Sequence, residues 1–172
     1  SPDPRMVLFP EKMIISHSLR QSIKKQQFTV TIDHAFEKVI RNCAKTTRKG
    51  EDGTWITTEM QNAYIRLHEA GYAHSAEAWL DGELVGGLYG VALGKAFFGE
   101  SMFHHVTNAS KVALFELVEK LSSWNFEIID AQVYTNHLES LGGEMIPRGE
   151  YIHILEKALL KEDVIGSWKV RD

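Results

Sequence analysis

Asp130 and Gln132 stand two residues apart in the apolar run Ile129-Asp130-Ala131-Gln132-Val133. Strand side chains alternate between faces. If 127–133 is a strand, this carboxylate and carboxamide point one way while Ile129, Ala131 and Val133 point the other. Two polar groups on one face of an apolar strand read either as a chemical site or as side chains that bond backbone near a strand end. The pattern leaves both open.

Other chemistry is easier to exclude. Gly99-Glu100-Ser101-Met102-Phe103 approaches a G-x-S-x-G nucleophile elbow, but Phe103 replaces the closing glycine and the segment does not enter a helix, which argues against a serine hydrolase. The eight histidines have no metal-ligand spacing: His68 and His74 lack a third partner, and His104 and His105 are adjacent and diverge. No metal is expected. Gly86-Gly87-Leu88-Tyr89-Gly90 lies within a strand pattern rather than opening a helix, so it is not a phosphate cradle. Cys43 reads as a small core residue of a helix. Phe97, Phe98, Met102, Phe103, Trp55 and Tyr64 are apolar or aromatic enough to line a pocket, or to be core.

The elements that must position these groups follow from periodicity and punctuation. Helices are expected over 16–23 and 34–44, then a Lys/Arg/Gly/Asp loop through Gly53. Thr58 opens a helix whose Met60, Tyr64, Leu67 and Ala70 recur at helical spacing, predicting one buried face, and Gly71 stops it. Strands over 72–80 and 83–92 flank the hairpin signal Asp81-Gly82, and 96–99 adds a third. Asn108 is placed to cap a helix reaching about Trp124. A strand over 127–133, a short helix capped by Thr135 and ended by Gly142-Gly143, an extended piece over 144–147 and a helix over 150–160 complete an α+β order.

The composition, 44% hydrophobic and 24% charged over 172 residues, suits one domain with a real core. Apolar runs are too short for a membrane span, and the start Ser1-Pro2-Asp3-Pro4 has no signal-peptide character, so a cytoplasmic protein is expected. The net charge of −4 hides an asymmetry. Residues 20–49 carry eight basic side chains against two acidic ones, a balance of +6 that leaves −10 for the rest. Arg20, Lys24, Lys25, Arg48 and Lys49 could thus grip a phosphate backbone, or form an ordinary solvated helix face.

Gly53-Thr54-Trp55-Ile56-Thr57, Gly99-Glu100-Ser101-Met102-Phe103 and the stretch from Ile129-Asp130-Ala131-Gln132-Val133 through Thr135-Asn136-His137-Leu138-Glu139-Ser140-Leu141-Gly142-Gly143 occur in this order. Together they resemble the leucyl/phenylalanyl-tRNA-protein transferase family, and Ser1-Pro2-Asp3-Pro4-Arg5 matches a run found there just after a small N-terminal domain. The resemblance thins after about Leu160. It implies a single catalytic domain over 1–172 with the GNAT-like acyltransferase fold, a mixed, largely antiparallel sheet flanked by helices, and it implies that the small N-terminal domain is absent from this chain. It further implies transfer of Leu or Phe from aminoacyl-tRNA to the N-terminal Lys or Arg of acceptor proteins, marking them for degradation. A monomer without a cofactor is expected.

Carried over residue by residue, the resemblance makes Gln132 the group that accepts a hydrogen bond from the attacking amine, with Asp130 polarising or orienting it. Trp55 and Tyr64 would hold the aminoacyl side chain and terminal adenosine. Glu100 would bind a cationic amine, with Ser101, Met102 and Phe103 beside it. Thr135-Asn136 stands where some relatives have Asn-Asp. Two other readings are a GNAT-type N-acyltransferase using acyl-CoA, and an RNA-binding module without catalysis. Against the first, 102–108 lacks the glycines of a pyrophosphate loop before the central helix.

Overall fold

Asp81 and Gly82 both take positive φ, 50° and 80°, and close the tight hairpin between strands β3 (Ala73–Leu80) and β4 (Glu83–Leu93). The hairpin is part of the computed structural model, which describes residues 2–46 and 56–169. Among the described residues, β1 (Arg5–Leu8), β2 (Thr29–Ile32), β3, β4, β5 (Ala96–His104), β6 (Ile128–Gln132) and β7 (Glu144–Ile146) form one sheet in the order β2-β3-β4-β5-β6-β1-β7. Only β5 and β6 pair in parallel; every other neighbour is antiparallel. The expected α+β class with a mixed, largely antiparallel sheet holds.

The helices are α1 (His17–Lys24), α2 (Phe36–Lys45), α3 (Thr58–Glu69), α4 (Ala109–Ser123), α5 (Asn136–Ser140) and α6 (Arg148–Leu159). On one face of the sheet, Leu19 of α1 and the apolar stripe of α4 pack with Leu88, Phe97 and Ile129. On the other, α2 and α3 cover Tyr89 and Phe103, and α6 covers Val7 and Ile128. Helix α4 connects β5 to β6, because a parallel pair needs a long crossover. Gly86 admits it: a Cβ there would lie 2.5 Å from the Cβ of Ala109. No helix among the described residues is long and apolar enough to cross a membrane.

Several expectations are corrected. Strand β5 extends past Gly99 to His104, so the Gly99-Glu100-Ser101 motif lies inside a strand. The apolar positions of α3 do not form a buried face: none of its residues is buried, and Leu67 is 38% exposed. Asn108 precedes α4 but makes no capping bond; with φ 70° its amide turns to the hydroxyls of Ser18 and Ser22 on α1. Thr135 does cap α5, accepting from the Leu138 N–H at 3.1 Å. Strands β1 and β2 are not anticipated by the periodicity. Neither is Trp168, which follows α6 and is wholly buried, its N–H donating to Asp33.

Candidate active site

Strand β6 delivers Asp130 to the α6 side of the sheet, where the carboxylate is 0% exposed. Asp130 therefore faces the protein interior and does not line an open cleft. The buried charge is compensated from β1, which lies between β6 and β7 and pairs Val7 with Asp130. Arg5 meets the carboxylate as a fork, Nε to Oδ1 at 2.9 Å and Nη2 to Oδ2 at 2.6 Å. Tyr151 of α6 donates its hydroxyl to Oδ2 at 2.7 Å, with the guanidinium 4.8 Å from its ring centroid. The Asp130 contact raises the Arg5 pKa, and burial followed by Asp130 pushes the Tyr151 phenol up to about 12.

Asp130 does reach Gln132, but through the backbone: Oδ1 accepts the Gln132 N–H at 2.9 Å. Gln132 has φ 70°, and Val133 N–H donates to Ala131 C=O at 2.9 Å across it. This is a γ-turn in its rarer, strained form, and it ends β6. The half-buried Gln132 carboxamide then crosses to β5, Nε2 donating to Gly99 C=O at 3.2 Å and lying 3.4 Å from Glu100 Oε2. Both neighbours are acceptors, so the amide nitrogen must face them and Oε1 is the end left to accept from elsewhere.

Glu100 owes its place to a bulge. Tyr89 pairs with Ser101 and Gly90 with Gly99, which leaves Glu100 as the extra residue of β5. Burial raises its pKa, opposed by hydrogen bonds from Tyr64 and Gln132. The Tyr64 hydroxyl is pushed up to about 12, first by burial and then by Glu100. Tyr64, Glu100, Ala63, Leu67, Val91, Leu93 and Phe98 line an open, mostly apolar pocket of about 330 Å³. The half-exposed face of α3 is thus one wall of this pocket. Its volume is that of a small organic ligand site.

The structure therefore brings Tyr64, Glu100 and Gln132 together. Ser101 is half-buried opposite Tyr89. Met102 packs on the α4 face, away from this pocket, and Phe103 is core on the α2 side, 2% exposed. Trp55, Arg48 and Lys49 lie outside the described residues. Arg20 and Lys24 are exposed on α1 and Lys25 at its C-cap, whereas Lys38, Arg41 and Lys45 belong to α2 on the opposite side of the sheet. Sequence reasoning missed Arg5 and Tyr151. The signal was available for Arg5, a cation heading the apolar run Met6-Val7-Leu8.

The leucyl/phenylalanyl-tRNA protein transferase family model matches residues 7–156, which include Tyr64, Glu100, Asp130, Gln132 and Tyr151. The chain belongs to this family. A leucyl/phenylalanyl-tRNA–protein transferase of Methylococcus capsulatus is 58% identical over 151 residues, covering 88% of this chain and 64% of that protein. One from Legionella pneumophila is 52% identical over 170 residues, covering 99% of this chain and 76% of that protein. Against this leucyl/phenylalanyl-tRNA protein transferase family member, solved structures align at lower similarity. The L-PGS of Bacillus licheniformis gives a TM-score of 0.48 at 12% identity over 90% of this chain and 51% of that one. A ribosomal-protein-alanine N-acetyltransferase of Brucella melitensis gives 0.44 at 16% identity over 84% and 99%.

Proposed function

We propose that this chain is the catalytic domain of an aminoacyltransferase that moves leucine or phenylalanine from aminoacyl-tRNA to the N-terminal Lys or Arg of acceptor proteins, marking them for degradation. The observation that carries this reading is the contact of Gln132 with Glu100, which with Tyr64 lines an apolar pocket. The tRNA ester is already activated, so the task is positioning. The acceptor nitrogen attacks the ester carbonyl carbon, a C–N bond forms, and the bond to the ribose oxygen breaks. The proton lost by the amine ends on that oxygen.

Gln132 is a poor base but a good aligner. With Nε2 anchored on Gly99 and Glu100, its Oε1 accepts one amine N–H and holds the nitrogen lone pair toward the carbonyl. Glu100 pairs with a cationic amine, and the pocket beside Tyr64 takes the apolar end of the aminoacyl-adenosine. Dependence on charged tRNA fits the cytoplasm.

Gln132→Ala tests the aligner. Because Gln132 is half-buried at a strand end, transfer should fall on the order of 100-fold with the melting temperature nearly unchanged. Full turnover at saturating charged tRNA would remove Gln132 from the chemistry.

The acceptor stem is gripped by α1. Lys24→Ala with Lys25→Ala should weaken binding of leucyl- and phenylalanyl-tRNA alike, since phosphate contacts position without reading sequence. Each lost contact should flatten the log-log salt dependence by roughly 0.7 to 0.9. The same slope in parent and double variant would leave these lysines as a solvated helix end, where cations are favoured anyway.

A further inference from the structure

We infer that Arg5 is a positioning residue for transfer: it clamps Asp130 so that this carboxylate holds the γ-turn at Gln132, and thereby sets where the Gln132 carboxamide lies. The inference rests on the reading of Gln132 as the aligner. A non-glycine residue at φ 70° is strained, and it persists only where its surroundings over-determine it. Here they do. The turn is closed by Val133 N–H to Ala131 C=O, and the Gln132 N–H itself, which β1 could otherwise compete for, goes to Asp130 Oδ1. Without that contact β6 would relax toward an extended conformation, and a residue rotated out of this turn points its side chain away from Gly99 and Glu100.

Asp130 can serve only if it is itself immobile. Oδ1 accepts from both Arg5 Nε and Gln132 N–H, and Oδ2 accepts from Arg5 Nη2 and the Tyr151 hydroxyl. The guanidinium fork fixes the plane of the carboxylate, which decides where Oδ1 sits. A lysine ammonium supplies the charge but cannot bond both oxygens in that fixed geometry. Arg5 is only 14% exposed at its side chain, and β1 holds it between β6 and β7. Its guanidinium lies over the Tyr151 ring of α6 and forks onto the carboxylate that takes the Gln132 N–H, so it acts on the aligner through another residue.

The test is a double-mutant cycle. Arg5→Lys, Gln132→Ala and the double variant are assayed for kcat and KM with leucyl-tRNA and a peptide bearing N-terminal Arg, alongside melting curves. Arg5→Lys should lower kcat on the order of 10- to 100-fold while KM for the tRNA stays within about twofold. In the Gln132→Ala background the same substitution should cost almost nothing more, because the group it positions is gone. Independent, multiplying losses would overturn the inference while leaving Gln132 as aligner. A fully active Gln132→Ala single variant would instead sink the aligner reading, and this inference with it. Should Arg5→Lys fail to fold, Tyr151→Phe, which deletes one hydroxyl from the same clamp and keeps the ring, carries the same cycle. A kcat unchanged in Tyr151→Phe would then overturn the clamp.

Discussion

Asp130→Ala is expected to abolish most transfer and to destabilise the fold as well, by about 3–5 kcal/mol. The sequence alone leaves the stability effect open, since a polar pair on one strand face reads either as a chemical site or as side chains that bond backbone. The structure puts the carboxylate at 0% exposure between a guanidinium and a phenol. Alanine would leave a nearly buried cation without its counter-charge, take away an acceptor from Tyr151, and release the Gln132 N–H. Removing one partner of a buried pair costs more than the pair contributes, because the survivor keeps its desolvation penalty. Asp130→Asn separates the two losses. It keeps the shape and one acceptor oxygen, so the denaturation midpoint should recover part of the way while transfer stays low. An Asp130→Ala protein that unfolds at the parent's denaturant midpoint would refute the buried-pair account, and parental transfer rates would refute the positioning one.

The second large effect concerns pH. Glu77 is 0% exposed on β3, and burial lifts its pKa from 4.5 to about 8, with nearby Asp33 adding to the shift and backbone N–H groups of Ala35 and His34 opposing it. The folded carboxyl therefore holds its proton across a window in which the unfolded one has lost it. Between about pH 4.5 and pH 8 the folded state binds more protons, so stability falls as pH rises through that window. At about 1.4 kcal/mol per pKa unit, the loss is on the order of 3–5 kcal/mol. Glu77→Gln keeps an acceptor for the Ala35 N–H, which Oε1 takes at 2.6 Å, and removes the titration. Its melting temperature should match the parent near pH 5 and exceed it at pH 8. Parallel melting curves for the two proteins across that range would show that Glu77 ionises at little cost.

Local signals carried much of the architecture. Asp81-Gly82 specifies its hairpin because both residues tolerate positive φ, and Thr135 specifies the start of α5 because its hydroxyl can take an orphan N–H. Helix α4 is visible from its apolar spacing. What failed locally failed for tertiary reasons. Strand β1 is four residues long and wins its place only by pairing on both sides, with β6 and with β7. The apolar side of α3 resembles a core-facing stripe, yet it lines a pocket, and a stripe of residues cannot say whether its partner is protein or empty space.

The sequence by itself determined the family, the α+β class, and the residue types at 64, 100, 130 and 132, since motif order and strand period are properties of the chain read in one dimension. Tertiary structure alone decided what those residues do to one another. Asp130 acts on the Gln132 backbone, not its carboxamide, because a γ-turn rotates the side chain off the strand's alternation. Glu100 meets Tyr64 because a bulge in β5 inserts one extra residue, and a single residue of register changes which face a side chain takes. Arg5 reaches Asp130 across 125 positions of sequence, through sheet order that no local pattern encodes.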